Sequence, residues 1–467
     1  MKRLILMSAL IMVLVLVAAC ATPTEAPKPP ASSSAAASSA PASSVAPAAA
    51  TKFAFWHAMG GTNGEAIAEM MKRFNASQTA CVGEAVFQGS YDDSLNKLKA
   101  GLQSKDIPAV VQMFDLATQV LIDLQVIAPM QDFIDKDKFD LKDFEQNVLA
   151  YYSVGGKLYG MPYNTSNPML YINKDAFKAA GLDPAKPPRT YAEVLDAAKK
   201  LTKKGADGKV SMYGYSMAIY GWFFEQLLAA SGGLYLDNGN GRDARATKAT
   251  FNSPEGVKIL TWWKEGYDAG VFGNFGRPTA DTQKAFDAQQ TAMMIESTAG
   301  LRSRLNAAQG KFELGTGFLP RPDEAAYTKS GTIIGGASVY IMKDRPAAEQ
   351  NCAWQFVKFT VSPEIQAYWH TASGYYPVTK KSYDVKEDKE WVAKYPQFLT
   401  AVEQLHAAPN NRFTQGALTG VMPASRQRIE LAIEEVIQGK STPQQALDSA
   451  AADVTKLITD YNKTAPK

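Results

Sequence analysis

Between Lys52 and Phe114 the spacing of apolar residues switches repeatedly from the period of a strand to that of a helix. Lys52 to His57 is a β-type run, and after the glycine-rich loop Gly60–Gly64 the residues Ile67, Met70, Met71 and Phe74 recur at helical spacing. Val82 to Phe87 is a second strand, Ser90 to Leu102 a helix with Leu95, Leu98 and Leu102 on one face, and Ala109 to Phe114 a third, buried strand. This alternation predicts an α/β fold with a largely parallel sheet covered on both faces. Ligands of such sheets bind beyond the C-terminal ends of the strands. Those ends carry Trp56, Asp115 and, nearby, Tyr91.

A second constraint lies in Gly155 to Phe177. Gly155-Gly156 predicts a tight turn and Leu158 to Pro162 a short strand closed by proline. Asn164 to Pro168 is polar and rich in turn formers, and Met169 to Ile172 is again a strand run. The polar segment between two buried strands suits a crossing between two lobes, or an ordinary surface loop. At 467 residues the chain is too long for one ordinary core and suits two lobes.

The N-terminal end is of another character. Lys2-Arg3 followed by the apolar run Leu4 to Val17 reads as an export leader, too short for a comfortable membrane span. Residues 21–51 are almost only Ala, Ser and Pro and read as a disordered tether, because they bury too little apolar surface to offset chain entropy. Without Lys2 and Arg3, the 49 basic residues become 47 against 46 acidic ones, with no long basic run, which argues against a nucleic-acid partner. Of the three cysteines, Cys81 and Cys352 lie beyond the tether; export permits a bridge between them, but two cysteines do not by themselves define one. The three histidines, His57, His370 and His406, are widely spaced, so neither a zinc motif nor another metal site or cofactor is expected.

Helix starts in the second half are marked by Thr190 with Glu193, Ser253-Pro254, Ser362-Pro363, and Thr442-Pro443 with Gln445. Gly214-Tyr215-Ser216-Met217-Ala218 breaks the G-x-S-x-G pattern of a hydrolase at its last position, and no catalytic residues are assigned.

The text Tyr159-Gly160-Met161-Pro162, then Leu170-Tyr171-Ile172-Asn173-Lys174-Asp175-Ala176-Phe177, resembles the bacterial extracellular solute-binding proteins that feed ABC importers. Within them it is most similar to the Ugp type, which takes up sn-glycerol-3-phosphate and glycerophosphodiesters. The resemblance runs from about Phe53 to Asn462. It implies a two-lobed periplasmic binding protein fold of type II with the ligand between lobes. The expected lobes are residues 52–164 with 297–370, and 165–296 with 371–467. Phe286 to Met294 is similar to the family's helix, turn and strand returning to the first lobe, and Ile333 to Tyr340 to the glycine-bearing strand that follows. Val17-Ala18-Ala19-Cys20 is similar to a lipoprotein box; this implies a diacylglyceryl anchor on Cys20, the alternative being a plain secretory signal. The expected partners are an ABC permease, the membrane through Cys20, and a small glycerophospho ligand bound by a monomer.

The resemblance also implies a ligand set: Tyr91, Asp115, Ser166, Ser297, Gly336, Tyr375 and Arg426. Chemically, Arg426 offers a planar fork to a phosphate, Asp115 an acceptor to glycerol hydroxyls, and Trp56 or Trp222 a cover for the glycerol carbons. One departure is evident. The family's glycerol-phosphate binder has G-W-x-G-W, where this chain has Ile219-Tyr220-Gly221-Trp222 and so lacks the first tryptophan. A larger pocket, with room for a diester headgroup, follows. A sugar or oligosaccharide is the alternative ligand within the family, and a secreted hydrolase the alternative from another class.

Overall fold

A computed structural model describes residues 49–466. The leader, Cys20 and the tether up to residue 48 lie outside the described residues. Thr51, expected to close the tether, instead opens the first strand, its amide bonded to the Ala80 carbonyl.

Two sheets organise the chain. In the first, β1 (Thr51–His57) pairs in parallel with β2 (Cys81–Phe87) and β3 (Val110–Phe114). The helices between them are α1 (Gly61–Ser77) and α2 (Tyr91–Ser104). Ser90 and Asp93 cap α2 reciprocally, which fixes Tyr91 at its first position. The sheet is mixed rather than largely parallel. Ile127–Ala128 (β4), Met161–Ser166 (β5) and Gly335–Met342 (β11) complete it, with β11 antiparallel to β3, β4 and β5.

The second sheet contains β6 (Pro168–Asn173), β7 (Tyr215–Ser216), β8 (Phe272–Gly273), β9 (Met293–Ser297) and β10 (Leu314–Gly317), in the order β8-β7-β9-β6-β10. Only Asn167 separates β5 in one sheet from β6 in the other. The segment Asn164–Ser166, expected as a polar turn, is thus buried strand, its backbone satisfied by β11. Gly155-Gly156 does turn a hairpin, between Ser153–Val154 and Lys157–Leu158, with both glycines at positive φ.

Sheet membership runs across the expected lobe limits. Ser166 ends a strand of the first sheet. The strand Met293–Ser297 does not return to that sheet, and Leu314–Gly317 also pairs with β6, so the return follows Gly317. Residues Tyr376 to Lys380 lie on the first sheet's side: the Tyr376 amide donates to the Thr165 carbonyl, the Glu145 amide to the Val378 carbonyl and the Lys380 amide to the Asp143 carbonyl, whereas Trp391 and Val392 pack against the core of the second sheet.

Helices α3 (Gly221–Ala230), α4 (Pro254–Asp268), α5 (Ala347–Thr360), α6 (Pro363–Ser373), α7 (Met422–Ile437) and α8 (Pro443–Thr464) cover the sheets. Thr190 and Thr442 form the expected capping boxes, and Ser253 caps α4 ahead of its proline. Cys81 and Cys352 form a disulfide that ties β2 to α5. Among the described residues no helix is long and apolar enough to cross a membrane, and no group of His, Cys, Asp and Glu is arranged to hold a metal.

Candidate ligand cleft

Where the two sheets adjoin, beyond the C-terminal ends of β3 and β9, lies a cavity of 520 Å³. Eight of the nine residues singled out in the sequence line it: Tyr91, Asp115, Ser166, Trp222, Ser297, Gly336, Tyr375 and Arg426. A larger cavity of 660 Å³, lined by Phe177, Lys186, Arg189 and Glu403, gathers none of them. Trp56 is the exception. Along β1 the residues Phe53, Phe55 and His57 are buried on one face, and Trp56 between them turns to the other. There it packs against the core containing Leu95 and Val111 and does not line the cavity.

Glycines let the wall approach closely. Gly336 has φ +95°, and a Cβ there would fall 1.9 Å from the Asn164 carbonyl oxygen. At Gly335 a Cβ would fall 2.3 Å from Trp222 Cζ2, so the missing side chain makes room for the indole. At Gly221 it would fall 2.6 Å from the Arg426 backbone oxygen, so this glycine lets α7 lie against α3 and brings Arg426 into the cleft. Arg426 is the fifth residue of α7.

Arg426 also has partners that the sequence did not disclose. Its Nη2 donates to Asp115 Oδ2 at 2.8 Å and its Nε to Glu225 Oε2 at 2.9 Å. All three side chains are buried. Burial opposes the guanidinium's charge, but Glu225 and Asp115 outweigh it and hold its pKa well above the usual arginine value. The Glu225 carboxyl is raised, because burial outweighs the pull of Arg426. Asp115 Oδ2 also accepts from the Tyr151 hydroxyl at 3.2 Å. Among the described residues Arg426 Nη1 makes no hydrogen bond, which leaves a donor for a ligand.

A second guanidinium was missed. Arg277 lines the cavity with Nε 2.7 Å from Glu434 Oε1 and Nη1 3.4 Å from Glu430 Oε2. Glu296 is the other missed charge in the wall, 3% exposed at the end of an apolar strand.

The aromatic rings are held rigidly. Tyr91 stacks on Phe114 at 5.2 Å and accepts from Asn164 Nδ2 at 3.1 Å; Tyr375 stacks on Trp369 at 5.6 Å. Ser297 Oγ accepts from the Ala299 amide, leaving its O–H free to donate. Trp222 Nε1 is buried with no partner among the described residues. A buried N–H without an acceptor is unfavourable, and an acceptor on a ligand would satisfy it. The site therefore offers unspent donors, rings and carboxylates in a cleft between two sheets, without a nucleophile–base pair or a metal cluster among the described residues.

Comparison with known proteins bears on the family and the fold. Residues 69–400 match the family described as bacterial extracellular solute-binding protein. The sn-glycerol-3-phosphate-binding periplasmic protein UgpB of Escherichia coli K12 is 33% identical over 423 residues, 89% of this chain and 94% of that protein. The structure of UgpB from Mycobacterium tuberculosis in complex with glycerophosphocholine matches with a TM-score of 0.75 at 22% identity, over 88% of this chain and 99% of that one. The cyclic α-maltosyl-1,6-maltose binding protein of Arthrobacter globiformis matches with 0.70 at 26% identity, over 88% and 100% of the two chains. At these identities the M. tuberculosis match speaks for the two-lobed fold alone. With a family match over most of its length, the chain belongs to the bacterial extracellular solute-binding proteins, the ligand-capturing, non-enzymatic components of ABC importers.

Proposed function

We propose that the chain captures a glycerophosphodiester, with glycerophosphocholine preferred to sn-glycerol-3-phosphate, and presents it to an ABC permease. One observation carries this reading. Among the charged groups at the cavity, Arg426 and Arg277 each serve two carboxylates, and Glu296 adds a further one. A dianionic monoester meets more repulsion there than a diester with one negative charge. Free donors remain for that single phosphate on Arg426 Nη1, Trp222 Nε1 and Ser297 Oγ. The relationship to the Escherichia coli glycerol-phosphate binder supports the ligand class. The absence of the first tryptophan, whose place falls to Ile219 or Tyr220, supports room for a headgroup.

A second reading has its own support. Arg426 is already neutralised by Asp115 and Glu225, and carboxylates with aromatic rings also hold sugar hydroxyls. A thermal-shift screen against glycerophosphocholine, sn-glycerol-3-phosphate and maltose separates the two. Glycerophosphocholine at about 100 times its dissociation constant is expected to add roughly 2.7 kcal/mol of stability. A shift with maltose alone would transfer the assignment to a sugar.

The anchor is part of the same proposal. Cys20 ends a short apolar leader and precedes an Ala/Ser/Pro tether, so its acylation would hold the folded part at the outer membrane face. Cys20→Ser is expected to move the protein from the detergent phase to the aqueous phase on partitioning; unchanged partitioning would remove the anchor from the proposal.

A further inference from the structure

Glu296 is a carboxylate without a counter-ion. The strand that carries it is otherwise Met293-Met294-Ile295 up to Ser297, and its side chain is buried in the cavity wall. Oε2 accepts from Gln283 Nε2 at 3.0 Å and Oε1 from the Ser297 amide at 2.6 Å. The nearby guanidinium, Arg304, is turned elsewhere: its Nη1 donates to Gln283 Oε1 at 3.0 Å and its Nε lies 3.2 Å from Asp287 Oδ1. Gln283 thus stands between the two charges, and among the described residues Glu296 has no ion pair. Isolated burial of an ionised carboxylate is strongly unfavourable. Such a group either takes up a proton or is completed by a cation from outside the chain.

We propose that Glu296 is the subsite for a cationic headgroup, pairing its carboxylate with the ammonium of a zwitterionic glycerophosphodiester. The inference rests on the ligand reading above and assigns the end of the ligand that the phosphate donors leave free. Quaternary ammonium groups also bind aromatic faces. Tyr91, Tyr220, Trp222 and Tyr375 line the same cavity. Burial raises the Tyr375 hydroxyl pKa, and the charges of Glu296 and Asp115 raise it further, so its ring lies within the field of both.

Proton linkage gives the proposal a sign. Burial pushes the Glu296 carboxyl up to about 7. Around it, burial raises the Asp287 carboxyl and the Tyr171 and Tyr375 hydroxyls, Arg304 is the nearby cation, and none of these groups is a histidine. A cation binds the ionised form, so the affinity for glycerophosphocholine rises with pH through 7 and binding releases a proton below it. If the neutral acid instead donated to the phosphate, affinity would rise as pH fell.

Calorimetric titration of the wild type at pH 5.5 and pH 8, in buffers of different ionisation heat, tests this with two diesters. Glycerophosphocholine carries a cation and glycerophosphoglycerol does not. Glycerophosphocholine is expected to bind roughly tenfold more tightly or better at pH 8, at one decade per pKa unit of ionisation lost, with proton release near pH 6. Glycerophosphoglycerol should show no such gain. Glu296→Gln should abolish the difference while leaving glycerophosphoglycerol bound. A flat or inverted wild-type profile for glycerophosphocholine would overturn the assignment even if the variant failed to fold. Absence of binding by either diester at both pH values would instead overturn the ligand reading, and the subsite with it.

Discussion

Arg426→Ala is expected to lower the stability of the folded domain by about 3–5 kcal/mol, the usual consequence of removing one partner from a buried ion pair. Asp115 comes from the end of β3 in one sheet and Glu225 from α3, and the guanidinium on α7 lies between them. Without it two buried carboxylates face one another with no positive charge. The Glu225 carboxyl, raised by burial, would then lose the charge that pulls it down. Stability of the variant is therefore retained at low pH, where this acid is protonated, and lost as pH rises through the raised value. Urea unfolding at pH 5 and pH 7.5 should show the larger deficit at pH 7.5. Arg426→Lys should restore part of it, because an ammonium cannot span both carboxylates as a planar fork does. Arg426→Ala also removes the free Nη1 donor, so diester affinity should fall by roughly tenfold or more, at 1.4 kcal/mol per decade. An equal deficit at both pH values would show that the three side chains are not electrostatically coupled.

The disulfide carries the second large effect. Cys81 and Cys352 are 271 residues apart in sequence, and both are buried. A cross-link over so long a loop restricts the unfolded chain by up to about 5 kcal/mol in the chain-entropy description. It also pins β2, which among the described residues has only β1 as a neighbour, to α5. The Cys81→Ser/Cys352→Ser double variant is expected to unfold with a loss of about 2–5 kcal/mol. Amide exchange in Cys81–Phe87 should rise beyond the rest of the sheet. Identical unfolding midpoints for the oxidised protein and the double variant would contradict this.

What was legible in the sequence was mostly local. Reciprocal caps such as Thr190 with Glu193 act over four residues and can be read directly. The β1–α1–β2–α2–β3 order follows from periodicity. The strand character of Asn164–Ser166 was hidden because its partners, Gly335 to Ala337, lie about 170 residues away and polar side chains masked the pattern. The sheet membership of Leu314–Gly317 was hidden for the same reason, since it follows only from pairing with β6. Trp56 lies off the cleft because it packs against the core containing Leu95 and Val111, a contact that spacing along the strand does not disclose. The missed acids did leave a signal. Glu225 stands in the apolar run Trp222-Phe223-Phe224, and Glu296 follows Met293-Met294-Ile295. A lone carboxylate in such a run needs a partner. For Glu225 that partner is Arg426. The donors and the aromatic rings of the cleft were readable as residue types, whereas their mutual engagement required the fold.

The cleft's ligand is the central claim, and isothermal titration of the folded protein at pH 7.5 tests it most directly. Glycerophosphocholine is expected to give saturable binding of one molecule per chain, sn-glycerol-3-phosphate weaker binding, and maltose no heat. Saturable binding of maltose with no response to either phosphate compound would contradict the assignment.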